Sequence, residues 1–179
     1  MITWATLITL LRIILIIPLV VLLLDNNIVG AAVILAVACF TDLIDGYVAR
    51  TYNQRSKMGE VLDPLADKLL MLTTFTTVWF TMEDLVPTWL LIFLWCKEGI
   101  LAIGALIFFV TSHRLQPARR SGKMAMLFQV MYGLLLFFTR YTELQPVWIK
   151  GMQVGVFLTA LYALYDYAKH GFSLIKKSI

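Results

Sequence analysis

Four aspartates carry the first chemical signal in this 179-residue chain: Asp42 and Asp45 are three residues apart, and Asp63 and Asp67 are four apart. On a helix either spacing puts both carboxylates on one face. The first pair closes an apolar run from Ile28 to Val48, the second opens one from Val61 to Met82, and a short basic segment with Arg50, Arg55 and Lys57 joins them. Helices joined so closely are expected to pack as antiparallel neighbours, with both pairs at one level near a membrane surface. An acidic side chain at the bilayer centre costs roughly 2.5 to 3.5 kcal/mol, so four deeply placed and uncompensated ones would cost on the order of 10 kcal/mol. Divalent cations would offset that cost. Carboxylate oxygens suit hard ions such as Mg²⁺ or Mn²⁺, and one carboxylate can bridge two of them. The competing reading is a set of interfacial aspartates, solvated or paired with Arg50, Arg55, Lys57 and Lys68. Gly46 and Gly59 leave space beside the pairs for close approach of backbone or ligand.

The elements that must position these residues are membrane helices. The chain is 60% hydrophobic and 15% charged, too apolar for an ordinary water-soluble domain. A spanning helix needs roughly 20 mostly apolar residues. Such runs extend over Trp4 to Leu24, broken by Arg12, then Ile28 to Val48, Val61 to Met82, Pro87 to Thr111, Met124 to Thr139 and Val147 to Ala168. The expectation is an all-α, polytopic six-transmembrane-helix bundle, a single domain over residues 1–179. The first run reads as retained rather than cleaved, because its charge lies inside the apolar stretch. Lys and Arg concentrate on the cytoplasmic side, and ten of them (Arg50, Arg55, Lys57, Arg114, Arg119, Arg120, Lys123, Lys169, Lys176 and Lys177) fall in alternate connections and the tail. Both termini are therefore expected to be cytoplasmic. This distribution accounts for the net charge of +4 without a nucleic-acid partner. Cys39 and Cys96 both lie in apolar runs and read as packing residues rather than a disulfide or zinc framework.

The string Asp42-Leu-Ile-Asp45-Gly46-Tyr-Val-Ala49-Arg50, followed after eight residues by Gly59-Glu-Val-Leu-Asp63-Pro-Leu-Ala-Asp67, resembles the complete signature of the CDP-alcohol phosphotransferase family. The resemblance implies transfer of a substituted phosphoryl group from a CDP-linked donor to an alcohol, with release of CMP. It implies that Asp42, Asp45, Asp63 and Asp67 hold two divalent cations and that Asp67 is the general base. Asp42, Asp45, Gly46, Ala49, Arg50 and Gly59 would then form the CDP site. Homodimers are also implied by the resemblance.

A donor with acyl chains in the bilayer explains an embedded catalyst, and CDP-diacylglycerol is the expected one. Lys97, Arg119, Arg120 and Lys123 could cradle a phosphate on the acceptor, although Lys97 can equally pair with Glu98, and the others can serve as ordinary cytoplasmic anchors. Thr9-Leu-Leu-Arg12, Asp63-Pro-Leu-Ala-Asp67-Lys68 and Ser121-Gly122-Lys123 resemble the phosphatidylglycerophosphate synthase branch, whose acceptor is glycerol 3-phosphate. That branch commonly has Asn at Thr6, Arg at Lys97 and Ala105, and Lys at Ala125. The alternative within the family is a cardiolipin synthase, using phosphatidylglycerol. An ion-coupled transporter, the reading from another class, would place acids deep in several spans; here they gather in one pair of runs. The expected location is the inner (cytoplasmic) membrane, with the site facing the cytoplasm.

Overall fold

The computed structural model describes the backbone of residues 4–51, 57–82, 85–112, 119–139 and 146–178, and the side chains of residues 10–41, 65–82, 85–108, 119–139 and 147–170. All six expected runs are helices: α1 (Trp4–Leu24), α2 (Ile28–Thr51), α3 (Lys57–Thr81), α4 (Thr88–Ser112), α5 (Arg120–Phe138) and α6 (Pro146–Ser178). Three stretches among the described residues are long and apolar enough to cross a membrane: Thr88–Phe108, Arg120–Phe138 and Val147–His170. The parts of α1 and α2 whose side chains are described, Leu10–Leu24 and Ile28–Thr41, are apolar too.

The turn between α1 and α2 is fixed by hydrogen bonds written into Asp25-Asn26-Asn27. Asn26 takes a left-handed φ of 55°, which Asn tolerates better than most residues. The Asn27 N–H donates to the Leu22 carbonyl at 2.8 Å and the Asn26 N–H to Leu23 at 3.1 Å, closing α1 in a Schellman motif. The Asn27 side chain then caps α2, accepting from the Gly30 N–H at 3.0 Å. Gly30 sits tightly against this turn: a Cβ there would stand 3.1 Å from Asn27 Oδ1 and 3.2 Å from Leu22 Cδ1. Pro18 inside α1 has no N–H to offer the Ile14 carbonyl.

The contacts form two units, Met1–Val86 with Gly133–Glu143 and Pro87–Tyr132 with Leu144–Ile179. In the first, α1 packs against both α2 and α3. The core is built from Leu19, Leu23, Leu35, Leu70, Phe75 and Val78, with Ala31, Ala38 and Ala66 letting backbones approach. Among the described residues, α2 and α3 each pack on α1. α3 is rich in threonine, and Thr74, Thr76, Thr77 and Thr81 each donate to the carbonyl four residues back at 2.7–3.0 Å. Their hydroxyls are thereby satisfied within the helix.

In the second unit α4 packs against α6, with Phe93 and Trp89 against the Phe157 ring. Gly155 admits the Phe128 ring to within 3.0 Å of where a Cβ would lie. Fully buried Tyr132 accepts a hydrogen bond from Gln153 at 3.1 Å. Many large apolar side chains face outward in both units, including Ile14, Ile17, Ile103, Leu106 and Leu158, as suits surfaces solvated by lipid.

Candidate active site

Both halves of the aspartate signature lie on continuous helix. Asp42, Asp45, Gly46, Ala49 and Arg50 are in α2, and Gly59, Asp63 and Asp67 are in α3. The backbone thus has the periodicity that sets each pair on one face. The side chains of Asp42, Asp45, Ala49, Arg50 and Asp63, and the surroundings of Gly46 and Gly59, lie outside the described residues. Asp67 is described, and its partner crosses between helices. Arg12 of α1 donates through Nη1 to Asp67 Oδ1. The Arg12 side chain is 1% exposed and that of Asp67 14%.

This pair alters the electrostatic picture drawn from sequence. The cations considered there for the aspartates were Arg50, Arg55, Lys57 and Lys68. A cation that reaches Asp67 comes from a helix outside the signature, 55 residues away in sequence. The signal was visible: an arginine inside an otherwise apolar run needs an anionic or hydrogen-bonding partner. Its identity was not visible, because sequence periodicity does not say which helix packs on which.

Oxygen-only carboxylate ligands at helical spacing fit divalent cations such as Mg²⁺ and Mn²⁺. Asp67 retains some exposure at the site. Among the described residues alone no three acidic, histidine or cysteine side chains come together, since Asp42, Asp45 and Asp63 fall outside them.

The second unit holds the expected acceptor-phosphate residues. Lys97 is buried and pairs with Glu98, its neighbour on α4. Arg119 stands just before α5, where its Nε donates to Asp166 Oδ2 on α6 at 2.7 Å. The buried Ser121 hydroxyl donates to the same oxygen at 2.5 Å. The Arg119 N–H donates to the Tyr167 hydroxyl at 3.1 Å. A Cβ on Gly122 would lie 3.0 Å from that hydroxyl, so the missing side chain lets Tyr167 reach the start of α5. Arg119, Arg120, Ser121, Met124, Tyr162 and Asp166 line an open cleft of about 340 Å³. Arg119 and Arg120, neighbours in sequence, both line it. Lys97 and Lys123 do not line the cleft. Asp166 and Tyr167 were not anticipated, although an acid within the apolar sixth run was a legible sign, and Ser121 had been read only as part of a branch motif.

A family model described as CDP-alcohol phosphatidyltransferase matches residues 2–164. A CDP-diacylglycerol–glycerol-3-phosphate 3-phosphatidyltransferase of Aquifex aeolicus is 28% identical over 157 residues, covering 86% of this chain and 87% of the relative. A cardiolipin synthase (CMP-forming) of Streptomyces coelicolor is 38% identical over 73 residues, 41% of this chain and 33% of the relative. The Homo sapiens cardiolipin synthase (CMP-forming) is 37% identical over 91 residues, 50% of this chain and 29% of the relative. The chain therefore spans about a third of the length of these cardiolipin synthases.

Proposed function

Since the chain belongs to the CDP-alcohol phosphatidyltransferase family, we propose that it transfers the phosphatidyl group of CDP-diacylglycerol to glycerol 3-phosphate, giving phosphatidylglycerophosphate and CMP. The observation that carries the acceptor is the similarity to the Aquifex relative along most of both chains. The proposed setting is the inner membrane, with six spans, cytoplasmic termini and the site open to the cytoplasm. The protein is proposed to act as a homodimer.

Asp42, Asp45, Asp63 and Asp67 would hold two Mg²⁺ or Mn²⁺ ions. When bound, such ions neutralise the donor diphosphate and the oxygen leaving with CMP. Gly46, Ala49 and Gly59 make room for the cytidine and ribose, and Arg50 contacts a donor phosphate. Asp67 accepts the proton of the acceptor hydroxyl as its oxygen bonds to the lipid-bearing phosphorus and the bond from that phosphorus to CMP breaks. Arg119 and Arg120, with Lys123 nearby in sequence, supply charge for the acceptor phosphate.

A second reading, cardiolipin synthesis with phosphatidylglycerol as acceptor, is favoured by the pairing of Lys97 with Glu98 and of Arg119 with Asp166. These carboxylates reduce the net positive charge offered to a phosphate monoester. Purified protein given CDP-diacylglycerol and Mg²⁺ should release CMP and form phosphatidylglycerophosphate with glycerol 3-phosphate. Cardiolipin formed from phosphatidylglycerol, with no response to glycerol 3-phosphate, would select the second reading. Silence with both would overturn the two.

A further inference from the structure

Arg12 is the most enclosed ionic side chain among the described residues, and it stands on α1, outside the two helices that carry the aspartate signature. Leu10 and Leu11 precede it and Ile13 to Ile17 follow. A guanidinium in such a run is costly, and apolar side chains of similar volume can fill a buried ion-pair site without that cost. Packing alone therefore gives no reason for its presence. The choice of arginine adds a geometric argument. Its donors lie in one rigid plane, and its Nη1 meets one carboxylate oxygen, whereas a lysine ammonium behaves as a point charge on a flexible stem. The carboxylate it meets belongs to Asp67, across the contact between α1 and α3.

We propose that Arg12 is a positioning residue for Asp67, fixing the orientation of that carboxylate relative to the other three aspartates. Arg12 acts through Asp67 and touches no reacting atom. α1 thereby becomes part of the catalytic apparatus although it carries none of the signature. The inference rests on the proposed roles of Asp67 as cation ligand and base.

The test uses the full chain in lipid nanodiscs, with Mn²⁺ as probe. Arg12→Lys keeps the charge and loses the fork; Arg12→Met removes the charge and keeps an unbranched apolar side chain. Arg12→Lys should unfold at the wild-type temperature and bind the same number of Mn²⁺ ions. It should nevertheless show a changed electron paramagnetic resonance spectrum of bound Mn²⁺ and a kcat lower by about tenfold or more, with KM for CDP-diacylglycerol within about twofold. Arg12→Met, where it folds, should be at least as slow. A wild-type kcat and Mn²⁺ spectrum in Arg12→Lys would overturn the proposal, leaving charge compensation as the role of the pair. Failure of Arg12→Lys to fold would overturn it too, because a charge-preserving change that loses the fold assigns the pair to structure. The Mn²⁺ spectrum is read without turnover, which separates the two levels of argument. A wild-type protein that releases no CMP, or binds no Mn²⁺, overturns the proposed function; an unchanged spectrum in Arg12→Lys overturns only the positioning.

Discussion

The two units each contain an arginine–aspartate pair joining distant parts of the chain, and the pairs differ in enclosure. Arg12 and Asp67 are 1% and 14% exposed, whereas Arg119 and Asp166 are 24% and 19% exposed. Removing one member of a buried pair leaves an uncompensated charge and typically costs roughly 3 to 5 kcal/mol, while exposed pairs contribute about 0 to 1 kcal/mol. The first pair therefore constrains its surroundings strongly. The second is half-buried, more open than the first, and can rearrange around a ligand at lower cost, which suits residues lining an open cleft. A third pair, Lys97 with Glu98, joins neighbours on α4. Equal charge chemistry thus serves different ends according to burial and to what each pair connects.

Substitutions at the two aspartates sharpen this contrast. Asp67→Asn should have the larger effect: loss of a general base lowers turnover by about 10²- to 10⁴-fold, while CDP-diacylglycerol still binds. Turnover at the wild-type level, measured as CMP release, would remove Asp67 from catalysis. Asp166→Asn should act more gently and on a different parameter. It weakens the anchoring of Arg119 and Ser121 and should raise the acceptor KM by about fivefold, with kcat within about twofold. A large fall in kcat with unchanged acceptor KM would show that the cleft does not receive the acceptor.

The helices were legible because hydropathy and length define them directly. α1 begins and ends at Trp4 and Leu24 as read, and α2, α3 and α4 differ from expectation by a few residues at their ends. α6 runs on to Ser178, ten residues past Ala168. Lys169, His170, Lys176 and Lys177 end the apolar run without ending the helix, since helix propensity does not require hydrophobicity. Arg12, Asp42, Asp45, Asp63 and Asp67 interrupt the apolar runs of α1 to α3, and these interruptions are where the sequence pointed to chemistry. The aspartate spacing survives as helical periodicity in α2 and α3. Partners across helices were not legible, because Arg12 and Asp67 meet through packing that links residues 55 positions apart. Asp166 was passed over for a related reason: a lone acid in an apolar helix acquires meaning only beside Arg119 and Ser121.

The central claim is that the aspartates of α2 and α3 perform cation-assisted transfer from a CDP-linked lipid. Its most direct test is CMP release from CDP-diacylglycerol and glycerol 3-phosphate before chelation, after treatment with EDTA, and after Mg²⁺ or Mn²⁺ is returned. The expected result is loss of CMP release on chelation and recovery with either ion. CMP release that continues at an undiminished rate in EDTA would contradict the account.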